Sequence, residues 1–534
     1  MKKITGILLI VLLLLSAAFV AATFYVGRNA EKTLAERSAA INRSGLIEVV
    51  SRSYERHWFS AKENLTVRIR PHLLHKINNS LPQALQTFLQ EPVQLISTVR
   101  HGPWLGNHFG QASVHTDIIF SDKSAKTVKQ LFGDVQAVHI HDDISWNGSG
   151  SLKVSVSPFD YQELSGIHWI WRGLNTQTRY SRHYQHYDTE LTAPGMKLTL
   201  ADLGELSWKN LSYKTHHEDN NILPTGNSVL ALQHFDMKWH KTVDYRLRLN
   251  DLINIISGLQ IGGFINPQVS VPPSSIVLDD FSLHTSMTVN NGSANGSGKI
   301  MLKKMQYGDD AYENLSVEVS AEHINAAALQ ALKRKIADIA ESDENRWRDL
   351  MLNALRNEGA PIFTDNPVFK LKSLLLDTPD GKINVQAELA FNHVQKEDLY
   401  DIHKLTPKMI LQAQYDVPQA LPESFAQNQI QQIFKADNDE DFRDMQETVR
   451  LMVHGSLKEL QDKGYIKLDK NQLSGSLKLE NGKFFMNNNM IESSPEEEIE
   501  EESSFLDEES DVASETEKYE EPQIGADLNL PEVP

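Results

Sequence analysis

Short segments in which apolar and polar residues alternate recur along most of this chain, and a period of two restricts such segments to half-buried β-strands. Leu65, Val67 and Ile69 interleave with Thr66, Arg68 and Arg70; Leu152, Val154 and Val156 with Lys153, Ser155 and Ser157; Met196, Leu198 and Leu200 with Lys197 and Thr199. The pattern returns at Leu315–Val319, Ile383–Leu389 and Met409–Tyr415. Strands of this kind imply a mostly antiparallel sheet with one wet face. Asp380-Gly381 and Asn481-Gly482 lie between strand candidates and suit tight hairpins. The run Asn290–Gly298, rich in Asn, Gly and Ser, reads by composition as a flexible loop. Helical spacing interrupts the strands at Leu329, Leu332, Ile336 and Ile339, and again at Trp347, Leu350, Met351, Ala354 and Leu355, with Gly359 placed to cap the second helix. A third helix is expected from about Asp441 to Lys463. The fold class expected is α+β and β-dominated, a large sheet domain over 45–490 with a helical insertion at about 324–359.

The N-terminus adds a different element. Lys2 and Lys3 precede an uncharged stretch from Ile4 to Val26, 23 residues, and about 34 Å of helix is long enough to cross a bilayer core. We read residues 1–3 as a cytoplasmic stub, 4–26 as a single transmembrane anchor and 27–44 as a helical stalk. The rival reading is a cleaved secretory signal with Val20 and Ala22 at the peptidase site. The apolar run continues through Phe24, Tyr25 and Val26, beyond an ordinary signal core. Arg28, Lys32, Arg37 and Arg43 outnumber the preceding bases, which by raw count favours the reverse orientation. Glu31 and Glu36 offset them, and charge bias acts weakly on a large translocated domain, so everything after residue 27 is expected outside the cytoplasm.

Charge decides between partner classes once it is divided along the chain. Of the net −19 over 534 residues, −14 sits at Glu492–Glu521, where fifteen carboxylates face one base, Lys518, leaving −5 for the rest. Residues 491–534 read as a disordered acidic tail, with the apolar ending Leu528–Pro534 as its exception. The remainder carries no basic stripe to neutralise phosphates, so nucleic acid is an unsuitable partner. The absence of cysteine excludes disulfides, thiolate metal sites and cysteine nucleophiles. It fits a bacterial envelope protein better than a eukaryotic secreted one.

Catalytic motifs are missing. Gly298-Lys299 superficially suggests a phosphate loop, but Ser293 stands where the loop needs its first glycine and Ile300 where it needs a hydroxyl. Nucleophile-elbow, His-Glu-x-x-His and Gly-x-Gly-x-x-Gly patterns are absent. No catalytic residue, cofactor or enzymatic activity is therefore assigned. The only metal-ligand candidates are two histidine pairs: His139 and His141, two apart beside Asp142 and Asp143, and His183 and His186, three apart beside Asp188. Neither specifies a third ligand, and among 20 histidines close pairs arise by chance.

At Tyr54-Glu55-Arg56-His57-Trp58-Phe59-Ser60-Ala61, then at His101-Gly102-Pro103 and at Trp146–Pro158, the chain resembles the YdgA-like family of bacterial envelope proteins, a family of unknown function. Gly464-Tyr465-Ile466, Leu473 and Asn481–Asn487 are similar to its closing segment, while His57 and Asn488 replace family glycines. The resemblance spans roughly residues 1–490. It implies an inner-membrane, periplasm-facing and self-associating protein, and carries over no catalytic residue. Tyr54, Trp58 and Phe59 are expected in the core. The function expected is a non-enzymatic, membrane-anchored periplasmic protein that binds envelope partners or itself as a homo-oligomer. The alternative is a lipid-handling module similar to the anchored β-groove proteins of the AsmA type, in which a sheet presents an apolar face to phospholipid.

Overall fold

The computed structural model describes residues 2–43, 47–70, 89–105, 109–219, 222–240, 275–308, 310–340, 347–423, 426 and 439–491. The described strands join in one antiparallel sheet, as the alternation requires. It starts with β1 (Ile47–Arg56), β2 (Ser60–Ile69), β3 (Val93–His101) and β4 (Ala112–Ile119). After helix α2 (Asp122–Phe132) follow β5 (Val138–Ile144), β6 (Gly150–Val156), β7 (Phe159–Gln162), β8 (Ile167–Trp171) and β9 (Leu174–Tyr180). Six long strands come next: β10 (His186–Leu200), β11 (Gly204–Glu218), β12 (Thr225–Trp239), β13 (Ser275–Asn290), β14 (Ser293–Tyr307) and β15 (Asp310–Asn325). The sheet ends with β16 (Val368–Thr378), β17 (Gly381–Phe391), β18 (Met409–Pro418), β19 (Lys467–Asp469), β20 (Gln472–Glu480) and β21 (Lys483–Met486).

Almost every strand pairs with its neighbour in sequence. The exceptions are the hairpin β7–β8, which β6 skips to pair with β9, and the short β19, which β18 skips to pair with β20. Strand β10 is long enough to take β9 along Tyr187–Thr192 and β8 along Met196–Leu200. At the far end β20 carries β18 on one side and the short β19 and β21 on the other.

Helices bury only parts of this sheet. Helix α1 (Lys2–Arg43) runs without interruption through both the expected anchor and the expected stalk. Its Ala30 and Leu34 are fully buried among Ala61, Val99, Ala112, Val114 and Ile144, so residues 30–38 are an integral layer over β1–β5. The side chains of residues 1–18 lie outside the described set, and among the described residues no helix is long and apolar enough to cross a membrane. Helices α3 (Ala326–Ala340), α4 (Trp347–Arg356) and α5 (Ala360–Thr364) form the second core, with Leu332, Ile339, Ala354 and Ile362 against Leu223, Ala294 and Ile324. The third is made by α6 (Asp439–Asp462), whose Leu457 packs with Val417, Ile466 and Leu473. Residues up to Asn489 form one unit and 490–534 another; the acidic tail from 492 onward, including Leu528–Pro534, lies outside the described residues.

The expectation of a β-dominated, antiparallel fold with a helical insertion holds, and three local readings change. Asn290–Gly298 is no loop: Asn291 and Gly292 alone make a two-residue turn with φ of 52° and 81°, Asn290 pairs with Ser293, and β14 begins at once. Composition misleads here because Gly296 and Gly298 are strand residues, paired with Met287 and Thr285 of β13. Gly359 does follow α4, but with φ −83°, as the junction to α5 rather than a left-handed cap. A Cβ there would meet Leu355 O at 2.7 Å, which accounts for the glycine sterically. In the Asp380-Gly381 hairpin the turn residues are Pro379 and Asp380, since Gly381 already pairs with Thr378.

Candidate functional site

The register places one row of apolar side chains across nine successive strands. Leu191 of β10 stands opposite Tyr213, followed by Leu230, Leu283, Ile300, Val317, Leu374, Val385 and Tyr415 of β18. At the usual inter-strand spacing the row is about 38 Å long. Every member is half-buried rather than buried. Beneath the helices this face is closed; α6 packs on Val385 and Tyr415. From Leu191 to Leu374, however, the row belongs to none of the three helix-built cores among the described residues. A sheet face of this composition is normally covered by a second layer.

Beside that row the face deepens into a cavity of about 500 Å³ lined by Gly296, Gly298, Val319, Ala321, Phe369, Leu371, Ala387 and Leu389, together with Ser297, Ser320 and Lys370. The lining is made of small residues between bulky ones. Val319 is 43% exposed within it, unusual for a valine in a central strand. A Cβ on Gly298 would sit 3.4 Å from Val319 Cγ2 and one on Gly296 3.7 Å from Met287 Cε, so any side chain at these positions would occupy the hollow. The volume falls in the range of ligand pockets. The opposite face of the same strands is ionic, with Lys299 and Lys372 both on Glu318 at 3.7 and 3.3 Å, and Lys370 on Glu322 at 3.0 Å.

A crease crosses the six long strands. In each, the alternation is broken by two polar or small residues between apolar ones: Ala193 to Met196, Trp208 to Leu211, Leu232 to Phe235, Leu278 to Phe281, Leu302 to Met305 and Tyr312 to Leu315. Pairing lapses at Pro194, Asn210, Gln233, Asp280, Lys303 and Asn314. Asn210, Asp280 and Asn314 adopt φ near 50–55°, a left-handed conformation that Asn and Asp tolerate better than other side-chain-bearing residues. The step returns apolar residues to the same face after it, so the face stays continuous. Asn210 Nδ2 donates to Gln233 Oε1 at 2.5 Å, Asn314 Nδ2 donates to Asp377 Oδ2 at 2.8 Å, and Lys303 lies 3.7 Å from Asp280.

The second notable cluster is ionic and buried under α1. Arg37 donates from Nη2 to Glu63 Oε2 at 2.8 Å and from Nη1 to Asp142 Oδ2 at 3.4 Å. Arg52 Nε reaches Glu63 Oε1 at 2.7 Å, and Tyr180 Oη donates to Asp142 Oδ1 at 2.8 Å. Glu63 and Asp142 are essentially inaccessible. Burial opposes the Arg37 charge, but the two carboxylates outweigh it and raise its pKa; burial pushes Asp142 and Tyr180 upward as well. Two guanidiniums thus balance two carboxylates, which is how buried charge is tolerated.

The N-terminal residues that carry the family resemblance gather around the same helix, whereas Tyr465, Ile466 and Leu473 of the closing segment lie in the α6 core. Tyr54 packs on the Ala30–Leu34 core. The His101 ring lies against α1 at Gly27, where a Cβ would come within 2.6 Å of it. Its Nε2 faces Ser60 O at 3.1 Å, and burial lowers its pKa. Gly148 sits by Thr33, whose Oγ1 donates to Gln111 Oε1 at 3.0 Å. Trp58 and Phe59, expected in the core, are instead exposed at the tip of the β1–β2 turn, because that turn projects past the sheet beside the helix.

The histidine pairs are not brought together. His139 and His141 lie on β5, with His141 Nε2 3.0 Å from Asp143. His183 Nδ1 contacts Glu36 of α1 at 2.9 Å while His186 approaches Glu218 at 3.9 Å. Among the described residues no group of three or more His, Asp or Glu is arranged to hold a metal ion.

Comparison with curated proteins returns no match. The family whose sequence profile does match is described as "Bacterial protein of unknown function (DUF945)" and covers residues 1–493, the whole sheet and its helices. On that coverage the chain belongs to the DUF945 family of bacterial proteins.

Proposed function

We propose that this chain is a lipid-handling protein of the bacterial envelope, held in the inner membrane by residues 4–26 with the sheet on the periplasmic side, and that the apolar face between β10 and β17 takes an acyl chain. The carrying observation is the row Leu191–Leu374, half-exposed on seven successive strands and outside the three helix-built cores of the described residues. An extended hydrocarbon suits it better than a compact polar metabolite: the face is long and apolar, and the ionic residues lie on the other side. The YdgA-like likeness is consistent with this placement and adds no chemistry of its own. An envelope protein or a second copy bound on the same face is the competing occupant.

A photoreactive benzoylphenylalanine at Val319, in full-length chain in growing cells, tests the choice. It should yield an adduct with the mass of an acyl lipid, while the same probe at Lys372 on the ionic face should not. Adducts at Val319 that contain only protein, partner or self, would overturn the lipid reading. An alkaline phosphatase fusion after residue 100 should be active; activity only of a cytoplasmic reporter would reverse the orientation.

A further inference from the structure

We propose that the sheet domain sits directly on the bilayer, with the β1–β2 tip and the Trp104–Phe109 pair between β3 and β4 inserted at the lipid–water interface of the leaflet on its own side. Four large aromatic residues are exposed there: Trp58 64%, Phe59 55%, Trp104 58% and Phe109 63%. They cluster around the end of the apolar stretch of α1. Phe59 lies 6.5 Å from Phe19 of the helix, ring to ring, and Trp104 meets Phe109 edge to face at 4.7 Å. Between them the tips are fixed to the helix: the Gly102 backbone faces Thr23, His101 packs at Gly27, and Val26 is buried. The helix itself shows Phe24 and Tyr25 to solvent at this level, with Arg56 stacked 4.9 Å over the Phe24 ring.

Exposed apolar patches on a soluble surface mark a partner, and the position of this one selects the partner. Residues 19–26 are the last two turns of the apolar stretch, where a helix that crosses a bilayer leaves the hydrocarbon. Tryptophan and other aromatics with arginine close by are what bilayer interfaces attract, since the ring buries hydrocarbon while the indole N–H and the guanidinium meet headgroups. A lipid surface is continuous with the helix that carries the patch, whereas a protein would need to dock around the anchor. With the tips immersed, the last two apolar turns would be shared between bilayer and domain, and the sheet would stand at a fixed height above the membrane because α1 is also clamped by Arg37.

The inference rests on residues 4–26 being the anchor, so the test separates the two. Full-length chain is reconstituted in phosphatidylcholine–phosphatidylglycerol vesicles and floated on a density gradient. Tryptophan quenching is then read with lipids brominated either near the headgroup end or near the end of the acyl chains. The W58F/W104F chain, which keeps an aromatic ring at both positions and should leave the melting temperature unchanged, is compared with the parent. We expect the parent to be quenched most by the headgroup-proximal bromines and W58F/W104F to lose roughly half or more of that quenching. If the chain floats but its quenching is the same in W58F/W104F, the anchor stands and the inserted tips are overturned. If it does not float, both fall.

Discussion

Arg37 is the residue on which the N-terminal packing turns. In sequence it was one of four bases after the apolar run, indistinguishable from Arg28, Lys32 and Arg43, and nothing in local pattern marks it as buried. Its partners lie 26 and 105 residues away, a separation that no periodicity encodes. Replacing it with Met would leave Glu63 and Asp142 buried with only Arg52 between them, at a cost of about 3–5 kcal/mol. Denaturant unfolding of Arg37→Met should read that loss, whereas R28M, at an exposed position on the same helix, should fall within about 0.5 kcal/mol of the parent. Equal stabilities would show that the cluster does not hold α1 to the sheet. Trp58 and Phe59 carry the same lesson from the other direction: their size argued for the core, but their place at a hairpin tip beside the helix leaves them outside it.

At the scale of elements, the period-two reading of the strands holds wherever both residue types alternate cleanly. β17 is the clearest instance, its Ile383, Val385, Ala387 and Leu389 half-buried and its Lys382, Asn384, Gln386 and Glu388 exposed. Asn481-Gly482 forms the turn its chemistry demands, with φ of 53° and 75°. The helical insertion and α6 were legible from their spacing. The crease was not, although its signal is present: an apolar-x-x-apolar step in six neighbouring strands, with Asn or Asp in three of them where the backbone turns left-handed. Read strand by strand each step looks like noise in the alternation. Only the register, which puts Asn210 beside Gln233 and that beside Asp280, shows it to be one feature. Asn290–Gly298 failed for a related reason, since glycines chosen to leave room on a packed face have the same composition as glycines chosen for freedom in a loop.

At the scale of the whole molecule, the sheet passes three separate helix-built cores, and among the described residues none of these reaches the middle of its apolar face. The class of fold follows from the sequence; the face outside the cores does not, because it depends on where the described helices reach. Gly296 and Gly298 allow that face to be tested as a lipid site without damage to the fold. Neither glycine has a positive φ, and valine is favoured in strands, so G296V/G298V should fill the hollow at unchanged or slightly higher melting temperature. Native mass spectrometry of the full-length chain released from detergent micelles is the most direct measurement: the parent should retain an acyl-lipid adduct and G296V/G298V should lose it. A parent without adduct, or equal retention by both chains, would contradict the account.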